Sequence, residues 1–378
     1  MRRLALMSTA LAAAGSVVVT AGAAFAADLP VKAPRTAVVA SSDGIYVWLD
    51  GSYQSVKLPT YSLGFKAVPF PSLTDPGPID RFDPRATGYG FAGAIGYILP
   101  YGTFSPAFGS NVRIEVGGSY LRADATQSGG SGPAAFGPVP PGSAARIQLL
   151  NGTLVSSGFN CNGECSTTAS LSTRYAAWQI NAKVAGDFKL AALTLTPSVA
   201  IFGGETRDDQ NFAQNLFNSR NPTFNSSYVA STSLHWTDWG ARVGLDAKVD
   251  LTGWLTAGVG GYLGIADRST SLSGNDAVPL GPPGNLNFFG PISSSFTTSA
   301  STTAFIANAE ASLIARSTPT ATIRTFVGLN YDDHVPGISA PSFGGNLNAL
   351  TSTTPSGIKY SAETSWYAGG GVTVRFAP

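Results

Sequence analysis

Apolar and polar residues alternate with period two over long stretches of this chain, and the stretches recur. Between 239 and 250, Trp239, Ala241, Val243, Leu245, Ala247 and Val249 share one side, and Arg242, Asp246, Lys248 and Asp250 share the other. Between 254 and 266, Leu255, Ala257, Val259, Leu263 and Ile265 oppose Gly258, Gly260 and Tyr262. Between 111 and 123, Val112, Ile114, Val116 and Tyr120 are set apart from Arg113 and Glu115. Successive side chains of a strand point to opposite faces, so each stretch reads as a strand with one apolar face. Ten strands are expected, at roughly 44–56, 87–99, 111–123, 173–190, 193–206, 231–250, 254–270, 302–316, 320–333 and 359–376.

The connections between them alternate in length. Residues 57–86, 124–172, 207–230, 271–301 and 334–358 are long and rich in Gly, Pro, Ser, Thr and Asn. Those near 191–192, 251–253 and 317–319 are tight, and 100–110 is intermediate. Long loops on one side and short turns on the other are the mark of an antiparallel transmembrane β-barrel with its turns in the periplasm. Within the second long connection, Asn151-Gly152 separates two apolar runs, a hairpin signal. Its arms are shorter than the about 9–11 residues a tilted spanning strand needs. It is expected as a hairpin standing in the outer loop; if it spans, the barrel has twelve strands.

Composition supports this reading. Only 12% of residues are charged, aromatics make up 11%, and there are 44 glycines. A soluble protein carries about a quarter charged residues. The formal net charge of +1 argues against a polyanion partner such as nucleic acid. A lysine or arginine facing lipid at mid-depth costs about 2–4 kcal/mol, so the charged faces are expected to line the lumen. That lumen would hold Asp50, Arg113, Glu115, Lys183, Asp187, Arg242, Asp246, Lys248, Glu310, Arg324, Asp332, Glu363 and Arg375. Glu310, Arg242, Arg324, Lys183, Asp246, Arg113 and Glu115 are candidates for a constriction, with Arg242 or Arg324 as the partner of Glu310. Inward Tyr46, Trp48, Tyr262, Phe326 and Tyr367 are expected over the many lumen glycines. A narrow polar channel and a closed interior both fit these residues.

The chain ends carry further signals. Arg2 and Arg3, an apolar run from Leu4 to Val19 and Ala24-Phe25-Ala26 read as a secretory signal peptide over 1–26. Residues 27–43 then read as a periplasmic linker and 44–378 as the barrel. From Trp366 to Phe376 the alternation is strict, with Trp366, Val372, Val374 and Phe376 on one face. This resembles the C-terminal strand of bacterial outer-membrane barrels, which the assembly machinery reads; here Ala377 and Pro378 follow the final aromatic. Ala27-Asp-Leu-Pro-Val-Lys-Ala-Pro34 is similar to the mature N-termini of alphaproteobacterial outer-membrane proteins. The chain thus resembles, as a family group, the alphaproteobacterial porin-like outer-membrane β-barrels. The resemblance implies the outer membrane of a Gram-negative bacterium, reached by the general secretory route. It also implies contact with lipid, lipopolysaccharide and the assembly machinery, and a surface partner for the long loops.

The remaining chemistry is sparse. Cys161 and Cys165 are the two cysteines, and in an oxidising compartment a short-loop disulfide is expected. Neither phosphate-binding loop nor Gly-x-Ser-x-Gly elbow occurs, and no catalytic residue, metal or cofactor is expected. At the expected rim, Glu205, Asp208 and Asp209 on one strand and Asp332, Asp333 and His334 on another resemble the residue types of the omptin proteases, without their spacing. The expected function is non-catalytic, porin-like, slow passage of small polar solutes or ions. The alternative is a closed-lumen structural or surface-interaction barrel, and a more distant one an omptin-like rim protease.

Overall fold

The computed structural model describes residues 44–68, 75, 77–100, 109–136, 144–160, 164–220, 222, 225–279, 292–343 and 353–376. The signal-peptide and linker assignments, Cys161 and the last two residues lie outside them. Ten antiparallel strands close into a ring. They are β1 (Gly44–Lys57), β2 (Arg85–Ile98), β3 (Ser110–Gly129), β4 (Cys165–Leu190) and β5 (Leu193–Asn218), then β6 (Ser226–Asp250), β7 (Leu255–Val278), β8 (Ile292–Arg316), β9 (Ala321–Ser339) and β10 (Gly357–Phe376). Each strand pairs with its sequence neighbours, and β1 closes on β10, with Ile45 opposite Phe376 and Tyr53 opposite Ala368. Tight turns join β4 to β5, β6 to β7 and β8 to β9 at one rim, where β1 begins and β10 ends. Among the described residues no helix is long and apolar enough to cross a membrane.

Most strands extend well past their expected ends at the opposite rim. The connections expected at 207–230 and 271–301 are mostly strand: β5 runs to Asn218, β6 starts at Ser226, β7 runs to Val278 and β8 starts at Ile292. A strand of 26 residues is about 85 Å long, far more than a spanning strand needs.

The reason lies in which face is apolar. On the lower half of β6, the exposed residues are Trp239, Ala241, Val243 and Leu245, while Arg242, Asp246 and Lys248 turn inward. On its upper half, Tyr228, Ala230, Leu234 and Trp236 turn inward and are at most 3% exposed. There Ser231, Ser233 and His235 face out. β7 makes the same exchange: Leu263 and Ile265 are exposed below, and above them Asp267, Ser269, Ser271, Ser273 and Asn275 are exposed while Leu272 is buried. The alternation never breaks; the hydrophobic residues change sides. The lower half is an inside-out barrel, and the upper half is a conventional one with an apolar core.

Aromatics mark the boundary. Tyr53, Tyr89, Tyr120, Trp178, Trp239, Phe305, Tyr331 and Trp366 stand on the outer wall where the faces exchange, and Tyr97, Phe188, Trp254 and Phe376 stand near the rim with the tight turns. From Ile45 to Tyr53 the strand runs nine residues, with Ile45, Val47, Leu49 and Tyr53 on its outward apolar face, the span of a tilted membrane strand. Small residues let rings lie flat against the wall: Tyr46 covers Gly96, Tyr367 covers Gly328 and Phe326 covers Gly369.

The upper core is completed by chain that enters the mouth. The short strands Phe65–Val68, Ala144–Gln148 and Leu154–Asn160 form a separate three-stranded sheet. The hairpin that was expected to stand in the outer loop therefore folds into the barrel instead, and adds no strand to the ring. Its turn is a three-residue loop closed by a left-handed glycine rather than the two-residue Asn-Gly turn: Gly152 alone adopts positive φ, +90°, its N–H donates to the Leu149 carbonyl at 2.8 Å, and Asn151 Oδ1 accepts from Thr153 N at 2.9 Å. Leu149 and Leu150, just before that turn, are 1% exposed. They pack in one cluster with Tyr61, Leu63, Phe65 and Phe82 and with wall residues Leu171, Phe212, Leu216, Tyr228, Leu234, Trp236 and Leu272. A fully buried leucine contributes about 2 kcal/mol of transfer free energy, so this plug is held by more than its strand pairing.

Candidate functional site in the barrel interior

Below the plug the interior is a polar cup of about 1150 Å³. Its wall continues down to Thr252, Gly253, Pro319 and Thr320 in the tight turns, so it opens at that rim. Every constriction candidate read from the sequence lines it: Arg113, Glu115, Lys183, Arg242, Asp246, Glu310 and Arg324. The period-two pattern puts them there, because each lies on the face opposite the outward apolar row of its own strand.

The charges resolve into local groups. Glu115 accepts from Lys183 Nζ at 2.6 Å, the Tyr46 hydroxyl at 2.9 Å and Trp48 Nε1 at 3.0 Å. Asp187 accepts from Arg113 Nη1 at 2.9 Å and the Thr196 hydroxyl at 2.7 Å. Arg324 binds Asp50 closely and reaches Glu310 Oε1 at 3.4 Å. Glu310 also accepts from the Tyr367 hydroxyl at 3.0 Å, which in turn accepts from Asn308 Nδ2 at 2.8 Å. Of the two partners expected for Glu310, Arg324 is the one in reach. Arg242 instead lies over the rings of Tyr262 (4.6 Å) and Phe202 (5.6 Å), a cation–π arrangement. Mixed signs pair between adjacent strands, and in Asp50–Arg324 across β10, and leave a lumen edged by dipoles rather than by one charge.

The cup has a ceiling. Arg268 on β7, its side chain 2% exposed, spends all five of its N–H donors. Nε and Nη2 donate to Asp238 at 2.7 and 2.8 Å, Nη1 and Nη2 to Asp332 at 3.0 and 2.8 Å, and Nη1 to the His334 carbonyl at 2.6 Å. A β-bulge in β9 between Asp332 and Val335 brings that carbonyl to bear. Arg268 and Asp238 were not among the residues singled out in the sequence, and of this group only Asp332 was placed in the lumen.

Above the ceiling, polar side chains tie plug to wall. Asp276 accepts from Leu150 N at 2.7 Å and the Tyr228 hydroxyl at 2.8 Å, and also from the Ser294 hydroxyl. Gln214 accepts from Phe65 N at 2.8 Å and donates to Asp80 at 2.6 Å. Gly64, at φ +106°, passes directly over the Gln214 amide, where any side chain would collide.

The rim acids do not assemble an opposed catalytic set. Asp208 turns inward and is buried, while its neighbour Asp209 faces out and pairs with Arg207 at 2.9 Å. Glu205 meets His235 Nε2 at 2.7 Å on the outer wall. His334 Nδ1 lies 2.6 Å from Asp333, but Asp332 is committed to Arg268. No group of three His, Cys, Asp or Glu is placed to hold a metal among the described residues. Cys165 is buried at the start of β4 and is not a free thiol, and its expected partner Cys161 lies outside the described residues.

No protein-family model matches the chain, and no curated protein matches it. Among solved structures it is similar to the outer membrane protease OmpT from Escherichia coli, at 12% identity and a TM-score of 0.44, covering 90% of this chain and 100% of that one. It is also similar to the Neisserial surface protein A, at 12% identity and a TM-score of 0.27, covering 88% and 97%. A Pseudomonas aeruginosa FadL homologue is matched at 8% identity and a TM-score of 0.24, covering 88% and 91%. At these identities and scores the likeness transfers no activity; the closed ring of ten strands, with an apolar belt outside and a plugged polar cup inside, stands on the geometry above.

Proposed function

We propose that this is a non-catalytic outer-membrane barrel of a Gram-negative bacterium that is closed at its outer mouth. It would act as a structural or surface-interaction protein rather than an open pore. The carrying observation is the exchange of apolar faces along β6 and β7. An exposed apolar belt about nine residues deep makes sense in lipid, and an apolar core above it makes sense where water surrounds the barrel. The filled mouth favours the closed alternative over passive diffusion. The signal peptide, the C-terminal strand signal and the disulfide belong to the same reading. So do the partners: outer-membrane lipid, lipopolysaccharide, the assembly machinery and a surface protein met by the outer loops. A second reading, gated permeation, rests on the polar cup, which would become a continuous polar path if the plug left.

Membrane embedding has a direct test. Leu245 is 53% exposed at mid-belt on β6. Leu245→Arg should lower the stability of the folded barrel in lipid by about 2–4 kcal/mol, measured by reversible urea unfolding in vesicles. The same change at exposed Ser231, on the upper half of that strand, should cost little. Equal, small costs at both positions would refute the belt. For the closed mouth, vesicles carrying the protein should take up small sugars no faster than empty vesicles, and rapid uptake would favour the second reading.

A further inference from the structure

Most cations deep in the cup are spent on acids. Arg113 pairs with Asp187, Lys183 with Glu115, and Arg324 with Asp50 and Glu310. Arg242 lines the same wall and forms no ion pair among the described residues. Its one hydrogen bond among them is long, Nη1 to Gln179 Oε1 at 3.4 Å. Arg268, by contrast, spends every donor it has. The Arg242 head is nonetheless held in place. It lies 4.6 Å from the centre of the Tyr262 ring and 5.6 Å from that of Phe202. Gly264, its cross-strand partner on β7, leaves room for its stem: a Cβ there would come 2.9 Å from Arg242 Cβ. The rings offer no lone pair in their faces, so the N–H donors of a fixed guanidinium remain for another acceptor.

There is space beside it for one. The next inward residue of β6 toward the tight turns is Gly244, with Ser198 of β5 opposite on one side and Tyr262 of β7 on the other. A Cβ at Gly244 would come 2.7 Å from Ser198 Oγ and 3.6 Å from Tyr262 Cβ, so the glycine keeps a recess between them. Asn181 of β4 stands opposite Phe202 of β5, on the same stretch of wall. Ser198, Asn181 and Tyr262 all line the cup, and their side-chain polar groups make no hydrogen bond to protein among the described residues. The recess lies near the inner end of the cup: Asp238, a ceiling partner of Arg268, is the second inward residue above Arg242. From Arg242 to Asp250, eight residues on, the strand runs about 26 Å toward the open rim.

A guanidinium with an unspent fork takes a carboxylate or a phosphate through two parallel N–H···O bonds. The surroundings favour the carboxylate. A phosphate monoester brings about two negative charges, whereas the recess offers one unpaired guanidinium, and the next inward residue beyond Gly244 is the acid Asp246. The hydroxyls of Ser198 and Tyr262 and the amide of Asn181 are neutral donors and acceptors, matched to hydroxyl groups on a solute. We propose that Arg242, Gly244, Ser198, Asn181 and Tyr262 form a binding site for a small hydroxylated monocarboxylate, of the sugar-acid class, that enters the cup from the rim with the tight turns. The site belongs to the inner wall below the plug and does not depend on the closed mouth, so its failure would leave the function proposed above standing.

The test uses the full-length protein refolded in detergent, with glucuronate as the probe. Glucose and glucose 6-phosphate, of the same ring but with no charge or a phosphate, are the comparisons, all at equal ionic strength. Saturation-transfer NMR titrations give the dissociation constants. Glucuronate should bind at least tenfold more tightly than either comparison, and Arg242→Gln should weaken it at least tenfold. Arg242→Lys keeps the charge without the fork and should fall between. Tyr262→Phe keeps the ring under Arg242 and removes only a hydroxyl, for a loss of about threefold to tenfold. No transfer to glucuronate would overturn the proposal. So would glucose or glucose 6-phosphate binding as tightly, or an affinity for glucuronate unchanged in Arg242→Gln. Should that variant not fold, Tyr262→Phe decides, and an unchanged affinity there overturns the site.

Discussion

Arg268→Ala should cost the folded barrel about 3–5 kcal/mol, the largest loss from any single truncation in its wall. The guanidinium makes five hydrogen bonds, four of them to two carboxylates on strands β6 and β9. Truncation leaves Asp238 and Asp332 facing one vacated space with no counter-charge. Both keep some exposure, 19% and 26% of their side chains, which places the cost toward the lower end of the range. Arg268→Lys keeps the charge but cannot fork to both acids, so an intermediate loss is expected. The measurement is reversible urea unfolding in detergent or vesicles. A loss below about 1 kcal/mol would mean that Arg268 is solvated in the working protein and that the ceiling of the cup is open.

The lower half of this molecule was legible in the sequence and the upper half was not. In 239–250 and 254–266 the apolar row, the charged row and the tight turn between them lead to lipid face, lumen face and rim in one step. The same rule placed Glu310, Arg324 and Arg113 inside. The upper half obeys the same period. Asp208, Gln210, Phe212, Gln214, Leu216 and Asn218 alternate inward with Asp209, Asn211, Ala213, Asn215 and Phe217 outward. They read as loop because Asp and Asn stand in both rows and Gln in the inward one, and because a membrane barrel was expected to end where its outer face became polar. The usable signal was a change in which row holds the aromatics: Trp239 belongs to the outer row of β6 and Trp236 to the inner. The plug could not be read in this way. Asn151-Gly152 announces a hairpin, but that it turns into the barrel is seen only in the packing of Leu149 and Leu150 against Leu171, Phe212, Leu234 and Leu272, contacts between residues far apart in sequence.

Breaking the plug should open a path. Leu149→Asp combined with Leu150→Asp places two carboxylates among Phe65, Leu171, Leu234 and Leu272, beside Asp276, which already occupies the local donors. A buried, unpaired carboxylate is costlier than anything the hairpin gains by staying, so the hairpin should leave the mouth. The ring itself should persist, because none of its ladders uses this hairpin. With the apolar core breached, the mixed-charge cup would meet outside water. Planar bilayers should then show steady single-channel steps in the double variant. A silent double variant whose hairpin has become protease-sensitive would show that closure lies in the Arg268 layer instead.

The unmodified barrel, on the reading proposed above, is embedded in the membrane and shut at its outer mouth. The most direct test is the conductance of the unmodified, refolded protein in planar bilayers, under both polarities and with insertion verified independently. A closed barrel should give no steady steps above the bare-bilayer baseline. Reproducible ohmic steps from the unmodified protein would contradict it.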